Sequence, residues 1–454
     1  MILISFLHLF LMPLLAGEEK NDEVKALQAL KAEVELYRQK LQELEERLQQ
    51  AEAKLQDNAQ KVAIVEQKAA QANQQSKVAL SRPNIMNPQL SVILDGQYAD
   101  FSRNYRETIP GFQPSGNHVR ASDKGFSLNH AEMTASANID PYFYGQMTVA
   151  YEDEDVELEE AFFETLSLPY GLTLKGGRFF SALGYQNSKH PHAWDFVDDT
   201  LPYRAMLGTG NWGSEGAALR WLAPLPFMLS FYAEAFRGDE FPGNNDSSAN
   251  GANAKAFGAK WGMDINPSNS VAAGIGQMRS SADMRQSKEH EHDDDHDHSD
   301  PLAFSGDSHV TVLDWVWKWA PNGDVSSRSF KLYGEYFWGH ENGNYFLDRD
   351  ITIPYDGGMR GWYLAGVYQF LPRWRYGMRY DMAKRGATPD ALEETELFDH
   401  GHTPWRLASM LDFSPSEMSR IRLQYNYDKV EEAVNHLWYF QYIMSLGAHG
   451  AHGF

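Results

Sequence analysis

The chain has 454 residues, a formal net charge of −22 and no cysteine. The charge argues against nucleic acid as a partner, because an acidic surface repels phosphates. The lack of cysteine excludes disulfide bonds and thiolate metal sites, so His, Asp and Glu are the strong metal ligands that are left. Aromatic residues make up 13% of the chain while its mean hydropathy is −0.51, so apolar residues are frequent but are not gathered into long runs.

The N-terminal segment, residues 1–17, reads MILISFLHLFLMPLLAG. Its apolar part covers about 15 residues, which is too short for a membrane-spanning helix and typical of an export signal. Ala16 and Gly17 supply the small residues that a signal peptidase needs, and Glu18 stands where a lipoprotein has its lipidated cysteine. The sequence therefore predicts export without a lipid anchor.

Residues 18–80 carry a heptad repeat of apolar positions, which is typical of a coiled coil. One seam position is occupied by Leu27, Val34, Leu41, Leu48, Leu55, Val62 and Ala69. The other is occupied by Leu30, Tyr37, Leu44, Ala51, Asn58, Val65 and Ala72. We predict a periplasmic coiled coil over 18–80, with the cell wall as an expected contact. A linker over 81–88 follows, in which Pro83 and Pro88 break the helix.

From residue 89 onward the apolar pattern has a period of two, which indicates strands with one apolar and one polar face. Residues 373–382, RWRYGMRYDM, and residues 420–427, RIRLQYNY, both alternate in this way. Sixteen such strands are predicted, at 89–101, 124–139, 142–152, 156–167, 171–180, 212–222, 227–237, 255–265, 269–279, 308–319, 328–340, 359–371, 373–382, 404–413, 417–427 and 435–446.

The connections between these strands alternate between short and long. The short ones carry prolines, at 140–141, 168–171, 223–226, 266–269, 320–323, 371–373 and 414–417. Short turns at one end and long polar loops at the other are typical of a transmembrane β-barrel. We therefore predict an all-β barrel of about 16 antiparallel strands over 89–454, in the outer-membrane lipid of a Gram-negative bacterium. The alternating apolar face that ends at Phe454 resembles the final strand of outer-membrane proteins, and this resemblance implies recognition by the barrel-assembly machinery.

In its order of export signal, coiled coil, proline-marked join, sixteen-strand barrel and terminal Phe454, the chain resembles the phosphate-selective porins and related trimeric porins with a periplasmic coiled coil. The resemblance implies a homotrimeric channel that is narrowed by its third external loop. The corresponding stretch here is 181–211, which holds one Lys, one Arg, three Asp and two His. Phosphate-specific members carry lysines at the constriction, so the resemblance does not extend to phosphate specificity.

Charged residues of both signs are expected at this constriction. The third loop holds Asp195, Asp198 and Asp199. The thirteenth to fifteenth strands place five arginines on the face that points to the lumen if the aromatic face meets lipid, namely Arg375, Arg379, Arg406, Arg420 and Arg422. Acids facing an arginine wall would set a transverse field that screens solutes by charge and dipole. In the alternative interpretation the arginines pair with nearby acids, and the sign of ion selectivity stays open in both.

Histidines and acids occur together in the predicted loops. Residues 288–300, KEHEHDDDHDHSD, lie between the ninth and tenth strands and are therefore external. Their candidate metal ligands are His290, His292, Asp293, Asp294, Asp295, His296, Asp297 and His298. Zinc accepts mixed imidazole and carboxylate ligands, and nickel or copper also bind imidazole. Two further candidate ligand pairs are His190 with His192 and His400 with His402.

The sequence thus predicts an outer-membrane porin for the passive uptake of small solutes, with zinc or another divalent ion concentrated by the external loop. No cofactor is required, and Zn²⁺ would be cargo or loop ligand. A general or anion-type porin with an incidental loop is one alternative, and an envelope-tethering or adhesive barrel protein is another. We do not expect an enzyme, because no nucleophile elbow, zincin helix or phosphate loop occurs.

Overall fold

The computed structural model describes most of the chain after residue 87 and a few positions before it. The described residues are 31, 35, 38–40, 42, 88–105, 108–113, 124–152, 155–243, 251–286, 302–347 and 351–447. The predicted export signal and most of the predicted coiled coil and linker lie outside them. The described positions between 31 and 42 are helical and exposed. No helix among the described residues is long and apolar enough to cross a membrane.

Asn87–Phe454 forms a compact unit by itself, and its described residues fold into sixteen strands that close into a barrel. The strands are β1 (Gln89–Phe101), β2 (Gly125–Asn138), β3 (Phe143–Glu152), β4 (Asp155–Thr165), β5 (Leu172–Phe180), β6 (Gly213–Leu222), β7 (Met228–Phe236), β8 (Ala254–Asn266), β9 (Asn269–Gln286), β10 (Ala303–Trp319), β11 (Ser329–Leu347), β12 (Ile351–Leu371), β13 (Trp374–Arg385), β14 (Trp405–Ser416), β15 (Ser419–Lys429) and β16 (Asn435–Gly447). Each strand pairs antiparallel with its chain neighbours, and β1 pairs with β16 to close the barrel. The described helices are α1 (Leu201–Met206) and the 3-10 turns Pro169–Gly171, Pro191–Ala193, Pro321–Gly323 and Asp390–Leu392.

The outer face of this barrel is apolar, whereas the inner face carries buried charged and polar side chains together with an apolar cluster. In β15 the side chain of Leu423 is 46% exposed while Arg422 and Gln424 beside it are buried. Aromatic side chains such as Trp438 and Phe440 of β16 also point outward and are about half exposed. A closed antiparallel barrel with an apolar outer surface is the architecture of bacterial outer-membrane proteins. The predicted fold class and the predicted location in the outer membrane are confirmed.

One predicted long loop is wrong. The sequence pattern placed a connection between predicted strands 328–340 and 359–371, but β11 and β12 stay paired as far as Leu347 and Ile351. The reason is a second apolar cluster at this end of the barrel, in which Tyr345 and Ile353 are buried. Because glycines and acids surround these apolar residues in the sequence, the whole segment resembles a polar loop.

Two β-bulges, one in β2 and one in β4, reverse the alternation of inward and outward side chains. Their extra residues are Asn129 and Glu159. In β2 the side chain of Leu128 is 47% exposed, whereas His130, two positions later, is completely buried. The bulges thereby turn polar side chains toward the lumen at positions that regular alternation would give to lipid.

Candidate functional site

The third connection on the long-loop side, residues 181–212, lies inside the barrel and is called L3 below. L3 begins after β5, contains α1 and returns to the barrel wall at β6. Its Asp198 carboxylate lies 3.1 Å from the guanidinium of Arg379 on β13, which is far from β5 in the strand order. L3 therefore crosses the lumen and narrows it.

Apolar contacts and one carboxylate fix L3 in this position. Phe196, Leu201 and Met206 are buried in the cluster of side chains that fills the middle of the barrel. Glu335 of β11 accepts hydrogen bonds from two backbone N–H groups at the start of L3, at 2.9 and 2.8 Å. It also accepts one from the Tyr203 hydroxyl at 2.8 Å. L3 is thus part of the packed interior.

Asp198 anchors the far side of L3 to β13, β14 and β15. It lies 3.1 Å from Arg379 and also pairs with Arg406. Gln424 Nε2 donates to it at 2.6 Å and Asn426 Nδ2 at 3.0 Å. Burial by itself would raise the pKa of Asp198, but the two guanidinium groups outweigh it and lower the pKa to about 2. The carboxylate is therefore ionised and fully partnered at neutral pH.

Three of the predicted lumen arginines form ion pairs with carboxylates of the barrel wall. Arg379 has Asp381 at 3.2 Å, Arg406 has Asp428 at 2.6 Å and Arg422 has Asp412 at 3.3 Å. All three arginines are almost completely buried, so they do not line open water. Asp199 instead accepts a hydrogen bond from the backbone N–H of Gly210, at 3.0 Å. These arginines therefore pair with nearby acids, which is the arrangement of the alternative interpretation, while a transverse field stays a prediction.

The other two arginines, Arg375 and Arg420, line a cavity inside the barrel. Arg375 lies 3.0 Å from Asp195 of L3, which also pairs with Lys331 of β11. Burial alone would raise the pKa of Asp195, but Lys331 and Arg375 hold it well below its usual range. Arg420 donates to the backbone carbonyl of His192 at 2.5 Å.

A basic chamber lies between L3 and the short-turn end of the barrel. It consists of two cavities of about 670 and 840 Å³ that share lining residues such as Lys331 and Arg375. The basic lining residues are Lys189, Lys318, Lys331, Arg373, Arg375 and Arg420. The acidic lining residues are Asp264 and Glu417. We call this space the turn-side vestibule, and short turns are periplasmic in barrels of this type.

Lys189 of L3 is the vestibule lysine whose pKa is lowered most strongly. Its ammonium lies 3.0 Å from the centre of the Tyr185 ring. Burial, together with repulsion from Lys331 and Lys318, lowers the pKa of Lys189 to about 6, although Asp195 acts in the opposite direction. Lys189 therefore titrates near neutral pH.

On the β2 and β4 side of L3, the predicted pair His190 and His192 enters a buried group of ionisable side chains. The group, called the His–Glu cluster below, comprises His130, Glu132, Glu159, Glu160, His190 and His192. Burial alone would lower the pKa of His190, but the carboxylates of Glu159 and Glu160 outweigh it and raise the pKa to about 10. The structure thus gives His190 and His192 partners that the spacing in the sequence does not reveal.

The remaining predicted ligands are placed elsewhere or are outside the described residues. His402 Nε2 lies 2.8 Å from the backbone carbonyl of Lys429, and the His400 ring packs on Phe398 at 4.7 Å. Within the described residues, neither histidine belongs to a group of three or more ligand side chains. The external run 288–300 falls outside the described residues, so its zinc ligands stay a prediction.

The chain is similar in sequence to a bacterial protein and in fold to solved structures of outer-membrane channels. No family model matches the chain. A protein of Aquifex aeolicus (strain VF5), described as an uncharacterized protein, is 29% identical over 399 residues, which are 81% of this chain and 80% of that protein.

Solved structures of outer-membrane channels are similar at low identity. The outer membrane channel DcaP of Acinetobacter baumannii matches 79% of this chain and 96% of its own, at 12% identity and a TM-score of 0.48. The anion-selective porin from Comamonas acidovorans matches 79% and 99%, at 11% identity and a TM-score of 0.47. Similarity at this level carries no information about the solute, which depends on the residues of this chain.

Proposed function

We propose that the protein is a passive outer-membrane channel that favours small anionic solutes. The single observation that carries this proposal is the turn-side vestibule, whose lining holds six basic residues and two acidic ones. Charged side chains that line a narrow passage between low-dielectric walls set the local potential and select the sign of the permeating ion. The chain as a whole carries a net charge of −22, so the excess of basic residues is a property of the vestibule and does not follow from the overall composition.

The basic vestibule favours an anion-type porin over a zinc-uptake channel. A free divalent cation would meet Lys331, Arg375 and Arg420 on the same path and would be repelled by them. Asp195 offsets part of this charge, but it already pairs with Lys331 and Arg375. Zinc at the external loop is therefore proposed as a bound ion rather than as cargo. A homotrimer, cell-wall contact and recognition of Phe454 by the barrel-assembly machinery also stay predictions.

The channel proposal is tested by the reversal potential of the purified protein in a planar bilayer under a KCl gradient. We expect a conducting pore whose reversal potential lies toward that of chloride. In the Lys318→Glu variant we expect a shift toward potassium, because the substitution adds an acid to the vestibule. A cation-selective parent protein would contradict the anion preference, and the absence of conductance would favour the tethering or adhesive alternative.

The external loop is tested separately by deleting residues 288–300. We expect the deletion to remove weak binding of several Zn²⁺ ions, because a run of alternating His and Asp offers many ligands but defines no single coordination geometry. Zinc binding equal to that of the parent protein would contradict a metal role for this loop.

A further inference from the structure

We propose that the His–Glu cluster is a binding site for a divalent first-row transition-metal ion of the Zn²⁺ type, which joins L3 to β2 and β4. The site is distinct from the external run 288–300 and does not depend on which solute passes through the barrel. Its ligands are His130 and Glu132 from β2 and Glu159 from β4, whose ligand atoms all lie within 4.8 Å of one another, together with His190 from L3.

The distances between the ligand atoms fit a single ion. His130 Nε2 lies 3.5 Å from Glu132 Oε2 and 3.7 Å from Glu159 Oε1. His190 Nδ1 lies 3.4 Å from Glu132 Oε2 and 3.3 Å from Glu159 Oε2, and His192 Nδ1 lies 3.0 Å from Glu132 Oε2. A tetrahedral ion with bonds of about 2.0–2.1 Å holds its ligands roughly 3.4 Å apart.

Three buried carboxylates lie together in this cluster. Glu132, Glu159 and Glu160 are each less than a tenth exposed, at 3%, 8% and 6%. Among the described residues, Glu132 Oε2 and His190 Nδ1 make no hydrogen bond of acceptable geometry although both atoms are buried. Buried polar atoms normally have such partners, and buried carboxylates are normally paired or bound to a metal. An ion between the two atoms would satisfy both.

Neighbouring side chains orient the proposed ligands toward a common point. The other ring nitrogen of His190, Nε2, lies 3.1 Å from Glu160 Oε2. Binding of an ion would displace the proton from Nδ1, while Nε2 keeps its proton and donates it to Glu160. Thr134 donates to Glu132 Oε1 at 2.9 Å, which leaves Oε2 for the same ion. Glu160 is itself held by Gln146 Nε2 at 3.3 Å. Carboxylates and hydroxyls in this supporting position are typical of protein metal sites.

The backbone is also shaped around the cluster. The extra residue of the β2 bulge directly precedes His130, and the extra residue of the β4 bulge is Glu159 itself. Bulges often redirect a side chain next to a functional site. An ion held by two strands and by L3 would therefore link three separate chain segments. We infer that its binding stabilises the position of L3 in the lumen.

The site is tested in the full chain lacking 288–300, so that the external loop cannot contribute. After dialysis against Zn²⁺, we expect about one tightly bound ion per chain by elemental analysis. We expect Glu132→Gln to abolish this binding and Glu160→Gln to weaken it by about 10–100-fold, because Glu160 only orients a ligand. His340→Gln is the matched control, since His340 is half exposed and pairs with Asp356 at 3.3 Å, away from the cluster.

Two results would overturn the proposal. One is a chain lacking 288–300 that binds no stoichiometric Zn²⁺, and the other is a Glu132→Gln variant that binds it as well as His340→Gln does. A measurement on the unsubstituted cluster covers the case in which Glu132→Gln fails to fold. Co²⁺ added to the chain lacking 288–300 is expected to give the visible absorption bands of a nitrogen- and oxygen-ligated ion at one equivalent, and a spectrum of hydrated Co²⁺ would reject the site.

Discussion

Replacing Asp198 by alanine is expected to release the far side of L3 from β13–β15 and to raise the single-channel conductance. The substitution removes an acceptor shared by Arg379, Arg406, Gln424 and Asn426. A hydrogen bond to a charged group contributes about 1.5–3 kcal/mol to stability, and the variant loses such bonds while Arg379 and Arg406 keep their partners on the wall. The loss of one such bond corresponds to a change of at least roughly 10-fold in the balance between attached and released loop.

The released segment is limited by the other anchors of L3. Glu335 still holds Tyr203 and the start of the loop. Arg379 and Arg406 keep their wall partners Asp381 and Asp428, so we expect the barrel itself to stay closed. The gain in conductance should therefore come from a wider path along β13–β15 and not from unfolding.

Single-channel recording of Asp198→Ala checks this expectation, with Asp356→Ala as its control. Asp356 is an exposed carboxylate of β12 that pairs with His340, so its removal subtracts the same charge without touching L3. Equal conductance of the two variants, in protein that keeps its strand content by circular dichroism, would contradict the anchoring role of Asp198.

The barrel was largely predictable because the period-two pattern is a local property of the sequence. In β15 the exposure of Leu423 and the burial of Arg422 follow directly from the alternation of RIRLQYNY. The inward position of L3 was expected only through the porin resemblance. The extra length of β11 and β12 was missed, because Tyr345 and Ile353 stand among polar residues and are buried by contacts with distant segments.

The His–Glu cluster could not be predicted in full, because its geometry depends on two bulges. Regular alternation from Leu128 assigns His130 and Glu132 to the lipid face, where neither would meet His190. One local signal existed, because regular alternation would turn one of the two adjacent acids Glu159 and Glu160 toward lipid, which is unfavourable for a charged side chain. The basic vestibule was missed for another reason. Its lysines come from separate strands and from L3, and closure of the barrel brings them together.

Anion selectivity is expected to rise as the pH falls from about 8 to about 5, because Lys189 gains a proton in this range. Its pKa of about 6 lies below the ordinary lysine value of 10.5. A lysine is charged below its pKa, so Lys189 is mostly neutral at pH 8 and mostly charged at pH 5. Lys331 and Lys318 disfavour this charge, while Asp195 and Glu335 favour it.

Reversal potentials of Lys189→Met at both pH values isolate this contribution. The substitution keeps an unbranched side chain of similar length and removes the titrating group, so we expect the change in selectivity between the two pH values to shrink. Lys384→Met is the control, because Lys384 is exposed on β13 and does not line the vestibule. It should retain the pH dependence of the parent protein. Lys189→Met keeps every other titrating group of the channel, so a pH dependence that persists in this variant would come from another residue, and the assignment to Lys189 would then be wrong.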